Sequence, residues 1–181
     1  MILFCDIDYI KDLTGINQSV DSAKFRAVIY ATQRLYIEPI LGTDLYNAIE
    51  SKISGSTLTG NYQTLVNTWV APCIAYFTYI DLMYDVGIPL DRGGVYRNSS
   101  VNTTTANLEE MNRLAQVQRK RAEFFAERLV SYLCNNSTLF PEFTTNSDED
   151  ISPLNNPSPF DSPYLGNTGL TKYQRKTGYN R

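Results

Sequence analysis

The chain has 181 residues, 43% hydrophobic and 19% charged, a composition typical of one globular domain of about 100–150 residues plus an appendage. Its formal net charge of −3 excludes a bulk positive field that would draw it to DNA or to an anionic membrane. It contains no histidine, which excludes His-based triads, HExxH zinc sites and imidazole general bases.

The three cysteines are far apart in the sequence and form no CxxC pair: Cys5, Cys73 and Cys134. Their spacing predicts neither a disulfide framework nor a zinc site, so a reducing compartment is the simplest inference. The N-terminus lacks the basic and apolar regions of a signal peptide. No uncharged apolar run reaches the ~20 residues that a membrane span needs.

The N-terminal part of the chain predicts three short helices. The first covers roughly residues 6–14, where apolar residues recur at three-residue spacing. The second follows Asp21, a good N-cap, and is expected to end before Pro39, because proline disfavours a helical conformation in the residue before it. A third helix begins at Gly42.

Two longer helices follow. The segment from about Tyr62 to Val86 is apolar on more than one face, which predicts a central buried helix that Pro72 kinks or divides. A polar loop covers residues 87–105, and a last helix spans about Ala106 to Cys134. The apolar side of that helix is expected to consist of Leu108, Met111, Leu114, Ala115, Val117, Phe124, Phe125, Leu129 and Leu133. Residues 1–140 therefore predict an all-α bundle of about four or five helices.

Residues 141–181 predict a long extended arm. Five prolines exclude a long helix here, and apolar residues are too sparse to offset the entropy cost of ordering. The first half of the arm is acidic and its last stretch is basic. Aromatic and basic side chains suit contact with a protein partner, and the alternative is a solvated tail. The predicted partner-binding residues are Phe160, Tyr164, Lys172, Tyr173, Arg175, Lys176, Tyr179 and Arg181.

Four arginines are candidates for an oligomer interface or for lining a channel: Arg92, Arg97, Arg119 and Arg121. In a ring, such residues could make sequence-independent contacts with duplex DNA. The alternative is that they are solvated, since successive helical residues point about 100° apart and do not form one patch.

No motif in the sequence carries recognisable catalytic chemistry. The Gly93-Gly94 pair beside Arg92 is a very weak anion-site signal, and the acidic runs lack the spacing of a calcium loop. We therefore predict no enzymatic activity, no cofactor and no metal. An enzyme that used only Asp, Glu, Lys or Tyr would leave no readable signature.

The helical pattern resembles a known family. Residues 6–16 read DIDYIKDLTGI, and residues 20–51 read VDSAKFRAVIYATQRLYIEPILGTDLYNAIES. With the long apolar helix, the polar loop, the charged helix and the arm, they resemble the small helical head–tail connector (adaptor) proteins of tailed bacteriophages. Residues 35–49 look most like versions from phages of Bacteroidetes, including the crAss-like group. The likeness covers roughly residues 6–140.

The resemblance implies a structural virion protein at the head–tail junction, made in the host cytoplasm. Adaptors of this type form a homo-oligomeric ring, commonly twelve-fold, between the portal and the next neck or tail ring. The channel passes the genome, which allows non-specific contact with DNA. The arm from Pro141 to Arg181 matches extensions that reach the portal or a neighbouring subunit.

A second function class stays open on the residues alone. The same body and arm would suit a non-viral cytosolic module whose tail recruits a protein partner. Genome neighbourhood separates the two, since portal and capsid genes adjoin a connector gene.

Overall fold

The structure, a computed structural model, describes residues 1–16, 21–87, 90–91, 94–95, 107–145 and 151–154. Over these ranges the chain is a bundle of helices, which confirms the predicted all-α fold class. The α-helices are α1 (Ile7–Thr14), α2 (Ser22–Thr32), α3 (Glu38–Leu41), α4 (Thr43–Ser54), α5 (Gly60–Thr64), α6 (Ala71–Gly87), α7 (Leu108–Asn135) and α8 (Pro141–Thr145).

Shorter elements join these helices. The π-helical segments Gln33–Ile37 and Leu65–Val70 connect α2 to α3 and α5 to α6, and the 3-10 turn Ser137–Leu139 connects α7 to α8. The strands β1 (Leu90–Asp91) and β2 (Gly94–Val95) pair antiparallel within the predicted 87–105 loop. The other residues of that loop after α6 lie outside the described ranges.

The helix boundaries follow the predicted signals in several places. Gly15 ends α1 in the left-handed conformation, with φ 72°, and its N–H donates to the Lys11 carbonyl at 2.8 Å. The Asp21 carboxylate accepts from the Ala23 N–H at 3.0 Å and caps α2. The predicted restart of the chain at Gly42 is also confirmed, since α4 begins at the next residue.

The prediction that the second helix ends before Pro39 is wrong, because the chain stays helical as far as Leu41. Proline has no N–H and its ring clashes with the carbonyl four residues earlier in an α-helix. Here the turn before Pro39 is the π-helical segment Gln33–Ile37, which is wider than an α-helical turn. The Glu38 N–H accordingly donates to the carbonyl of Gln33, five residues back. The same kind of widened turn precedes Pro72, which divides the central helix as predicted.

Helix α6 lies at the centre of the bundle, in contact with α1, α2 and α7. Its residues Cys73, Ile74 and Ala75 have no solvent exposure, which confirms the predicted central buried helix. Across the described ranges, no helix combines the length and the apolar character needed to cross a membrane.

A buried glutamine ties the N-terminal segment to the bundle. The Gln33 side chain accepts from the Phe4 N–H at 2.8 Å, and its Nε2 donates to the Ile2 carbonyl at 3.2 Å and to the Tyr46 hydroxyl at 3.3 Å. The rings of Phe4 and Tyr46 lie 4.7 Å apart. Because each polar atom of this buried amide has a partner, the network holds the segment before α1 at little desolvation cost.

Candidate interaction surfaces

Helix α8 packs on the bundle through both apolar and polar contacts. Phe143 is 3% exposed, and Phe140 is fully buried with its ring edge-on to Tyr62 at 5.4 Å. The Tyr62 hydroxyl donates to the Glu142 carboxylate at 2.7 Å, and the Lys52 ammonium lies 4.3 Å from the centre of the Tyr62 ring. Burial, together with the bond to Glu142, raises the pKa of Tyr62 to about 12. This contact attaches the start of the predicted arm to α5.

Residues 151–154, here called the strap, bind the turn between α3 and α4. The Thr43 N–H donates to the Ile151 carbonyl at 3.0 Å, and the Ile151 N–H donates to the Thr43 hydroxyl at 3.1 Å. The Leu154 N–H donates to the Ile40 carbonyl at 3.3 Å. Three hydrogen bonds across more than a hundred residues of sequence thus position the chain that leads into the remaining arm.

The strap lies so close to Gly42 that a side chain at this position would clash with it. A Cβ atom at Gly42 would lie 2.7 Å from Cδ of Pro153 and 2.9 Å from its backbone nitrogen. Gly42 also has φ 77° and ψ 158°, a conformation that glycine adopts almost alone. Close packing and backbone conformation therefore both require glycine at this turn.

The prediction that an extended arm begins at Pro141 is wrong for its first residues. Residues 141–145 form α8, and Phe143 and Pro153 are buried against the bundle. The prediction asked only whether the apolar residues of this stretch could form a separate core. Instead, they pack against the core of the helical bundle. The start of the predicted arm is thus helical and packed on the bundle, and the division of the chain at residue 140 stays a prediction.

The predicted partner-binding residues of the arm lie outside the described part of the chain: Phe160, Tyr164, Lys172, Tyr173, Arg175, Lys176, Tyr179 and Arg181. Their role therefore stays a prediction.

Aromatic side chains line the contact of α7 with α6 and with the π-helical segment before α6. The Trp69 ring stacks on Tyr132 at a centroid distance of 4.8 Å, and Tyr76 stacks on Phe125 at 5.5 Å. Phe124 lies edge-on to Phe125 at 5.4 Å and is 51% exposed. We call these five residues the aromatic surface. It combines four half-buried rings that pack in pairs with one ring, that of Phe124, that is half exposed.

Two arginines lie over the aromatic surface. The Arg128 guanidinium is 5.0 Å from the centre of the Trp69 ring and 5.6 Å from that of Phe124. The Arg121 guanidinium is 6.0 Å from the centre of the Tyr76 ring. Aromatic residues and arginine are the types enriched where proteins bind one another. This surface is therefore the best candidate for protein contact in the described body.

The two predicted arginines that the structure describes do not lie side by side. Arg119 and Arg121 are both exposed on α7, but two residues along a helix correspond to about 200°, so they point to opposite sides. Burial raises the pKa of Asp81, and the positive charge of Arg119 offsets part of that rise. Arg92 and Arg97 lie outside the described residues.

Helix α7 carries apolar side chains on two faces, whereas the sequence predicted one. The inner face is buried and includes Ala115, Ala122, Leu129 and Leu133. Leu114, Val117 and Phe124 were expected on that side but are 41%, 47% and 51% exposed. With two arginines they follow a spacing of 3, 4, 3 and 4 residues along the opposite side. We call this set the outer stripe: Leu114, Val117, Arg121, Phe124 and Arg128.

The sequence-based choice of site residues missed most of this surface, including Trp69 and Arg128. The alternating three- and four-residue spacing along α7 marks Phe124 and Arg128, but it carries no signal for Trp69, which lies in the Leu65–Val70 segment. It was overlooked because every apolar residue of the helix was assigned to the core.

Few groups in the described body have the chemistry of a catalytic site. Burial raises the pKa of the Cys5 thiol to about 12 and also raises that of Cys73, so neither is a ready nucleophile at neutral pH. The Asp81 carboxylate accepts from the hydroxyl of Thr32 at 3.1 Å and from that of Tyr36 at 3.5 Å. No three His, Cys, Asp or Glu side chains are grouped as metal ligands in the ranges that the structure covers.

Comparison with known proteins places the chain in a family. No curated protein and no solved structure matches it at a significant level. One family model, described as a family of unknown function (DUF6712), matches residues 37–152. The matched region runs from the end of the first π-helical segment into the strap and so includes α8. The chain therefore belongs to the DUF6712 family, whose function is not known.

Proposed function

We propose that the protein is a structural component of the head–tail connector of a tailed bacteriophage. In this role it forms a ring beneath the portal around the DNA passage, and its arm docks on the portal or on a neighbouring subunit. The likeness of residues 6–51 and of the helix order to adaptor proteins supports the role. The family match assigns no activity and leaves this proposal open.

The anchored base of the arm is the structural observation that carries the proposal. The strap holds Leu154 against Ile40, so the position of the chain is defined up to the residue before the proposed docking segment. A tether that starts at a defined point searches a smaller volume than one that starts at the end of the bundle, which raises its effective concentration at a nearby site. In a ring, the same start point repeats in every copy, and weak contacts of single arms add up.

The composition of residues 155–181 supports docking on a protein. Prolines restrict the unbound chain, and tyrosines offer broad apolar contact with one polar tip. The basic residues of the last stretch add charge that an acidic partner surface would attract. On this proposal the arm becomes ordered when it binds, and its ordering cost lowers the affinity of each single arm.

Truncation tests the role of the arm. A chain that ends at Pro163 retains α8 and the strap, so it should unfold like the full chain but lose binding to purified portal protein. A second variant controls for chain length: the full-length chain with Tyr164, Tyr173 and Tyr179 replaced by serine should also lose most of its binding to portal. Equal portal binding by the truncated and full-length chains would refute the docking role.

Imaging tests the ring. Mass measurement and negative-stain microscopy should show closed rings once portal is added, twelve-fold as the resemblance implies. A monomer that never assembles on portal, encoded by a gene with no portal or capsid gene nearby, would instead favour a cytosolic recruiting module.

A further inference from the structure

The outer stripe of α7 keeps its three apolar side chains largely exposed in the described part of the monomer, while its two arginines lie over rings of the aromatic surface. Leu114, Val117 and Phe124 keep 41%, 47% and 51% exposure, although the same helix buries its inner face fully. The 3-4-3-4 spacing keeps the stripe on one side of the helix for two heptads, as in helices that pair with another helix. Glu110, one turn before Leu114, extends the stripe toward the start of α7.

We infer that α7 of one copy pairs antiparallel with α7 of a second copy through the outer stripe, forming a two-fold dimer. This inference does not depend on the proposed connector function. In a cyclic ring the contacts between neighbours join two different surfaces, whereas a two-fold contact joins a surface to itself. The dimer would therefore be a state of the free protein, and ring assembly would have to open it.

The charges of the helix select the direction of pairing. In a parallel pair each residue meets its own copy, so Glu110 would face Glu110, Arg121 would face Arg121 and Arg128 would face Arg128. An antiparallel pair centred near residue 119 places Glu110 of one copy against Arg128 of the second at both ends. The parallel arrangement thus opposes like charges in three layers, and the antiparallel one replaces two of these with attractive pairs.

The flank of the stripe supports the same direction. In the antiparallel register, Arg113 of one copy lies beside Glu127 of the second copy, and the symmetry repeats this pair. In the monomer, Arg113 forms an exposed ion pair with Glu109 at 3.8 Å. Exposed pairs contribute little free energy, so exchanging Glu109 for Glu127 of the second copy costs little. Lys120 meets its own copy near the two-fold axis, which is unfavourable, but its long side chain can extend into solvent.

The apolar layers supply the remaining attraction. In this register Leu114 faces Phe124 of the second copy, and Val117 faces the stem and guanidinium of Arg121. Residues 110–128 span roughly 27 Å of helix, which is short for a stable coiled coil. We therefore expect a dimer whose population rises with protein concentration, and not a permanent one.

Charge reversal tests the register. Arg113 and Glu127 are about 21 Å apart along one helix, so they cannot contact each other within a copy. In sedimentation equilibrium, Arg113→Glu and Glu127→Arg should each weaken the dimer by about tenfold, and the double variant should restore it. Circular dichroism checks that each variant stays folded. Single variants that leave the dimer unchanged, or a double variant that fails to restore it, would overturn the antiparallel register.

Two further measurements test the surface and the direction. Phe124→Glu should abolish the dimer, whereas Leu35→Glu, at a site 49% exposed away from α7, should not. Gln118→Cys lies near the two-fold axis and should oxidise to a linked dimer, whereas Leu114→Cys would do so only in a parallel pair. A protein that is monomeric at all concentrations, or that dimerises only once residues 155–181 are removed, would show that no second copy covers the stripe in the native chain.

Discussion

Replacing Gly42 by alanine should destabilise the protein through two separate effects. The φ of 77° and ψ of 158° at this residue cost roughly 1–3 kcal/mol for a residue with a side chain. The new Cβ would also lie 2.7–3.0 Å from atoms of Pro153, so the strap has to move. Losing its three hydrogen bonds adds about 0.5–1.5 kcal/mol each. We expect the free energy of unfolding to fall by about 3–7 kcal/mol in all.

Gly15→Ala is the matched control for this substitution. Gly15 also has a positive φ, 72°, but nothing lies within 4 Å of the Cβ position. It should therefore cost only the backbone term, about 1–2 kcal/mol. Urea unfolding of both variants gives the difference between them, which measures the contact with the strap.

Hydrogen exchange locates the effect in the molecule. In Gly42→Ala the amides of Thr43, Ile151 and Leu154 should exchange faster, because their hydrogen bonds join the strap to the α3–α4 turn. In a chain that ends at Asp150 the cost of Gly42→Ala should shrink to its backbone term alone, about 1–3 kcal/mol. If both substitutions cost the same in the full chain and the three amides are unchanged, the strap contact does not act as argued.

Three other predictions concern ionisable or buried side chains. The pKa of Tyr62 is raised to about 12, so the hydrogen bond from its hydroxyl to Glu142 should stabilise the fold fully below pH 10. This stabilisation should be lost as the pH rises through 12. In urea unfolding, the difference in unfolding free energy between the native chain and Tyr62→Phe should therefore disappear between pH 10 and 12. Burial raises the pKa of Asp81, so its charged form destabilises the fold above that pKa. At pH 7, Asp81→Asn should therefore be more stable than the native chain, and this difference in stability should vanish on acidification. A difference that persists in acid would contradict the argument. Phe143→Ala should cost about 3–5 kcal/mol in thermal or urea unfolding, but Phe124→Ala only about 1 kcal/mol, and equal losses would mean that Phe143 is not a core residue.

Local sequence signals predicted the helices well because each acts over a few residues. Asp21 caps α2 through the N–H of Ala23, and Gly15 ends α1 in a left-handed conformation that other residues avoid. These features need no knowledge of the rest of the chain. Pro39 shows the limit of such rules, since a widened turn removes the clash that would otherwise end the helix.

Contacts between distant parts of the chain were beyond sequence reasoning. Ile151 reaches Thr43, and Glu142 reaches Tyr62 across 80 residues, and neither pair has a local signature. The prolines of the predicted arm gave no sign that Pro153 would lie on Gly42. The two faces of α7 could have been separated by spacing, but which one meets the core depends on how α6 packs against it.

The widened turns at Gln33–Ile37 and Leu65–Val70 have a consequence for changes in chain length. In an ordinary helix, one inserted or deleted residue rotates everything beyond it by about 100° and takes buried side chains off the core. A π-helical turn already holds an extra residue, so a deletion there can tighten it to an α-turn while both flanks keep their orientation. Because the widened turn also relieves the clash of the following proline, a single-residue deletion at either position should be tolerated once Pro39 or Pro72 is replaced by alanine. The same deletion one or two turns away in α6 should be rejected.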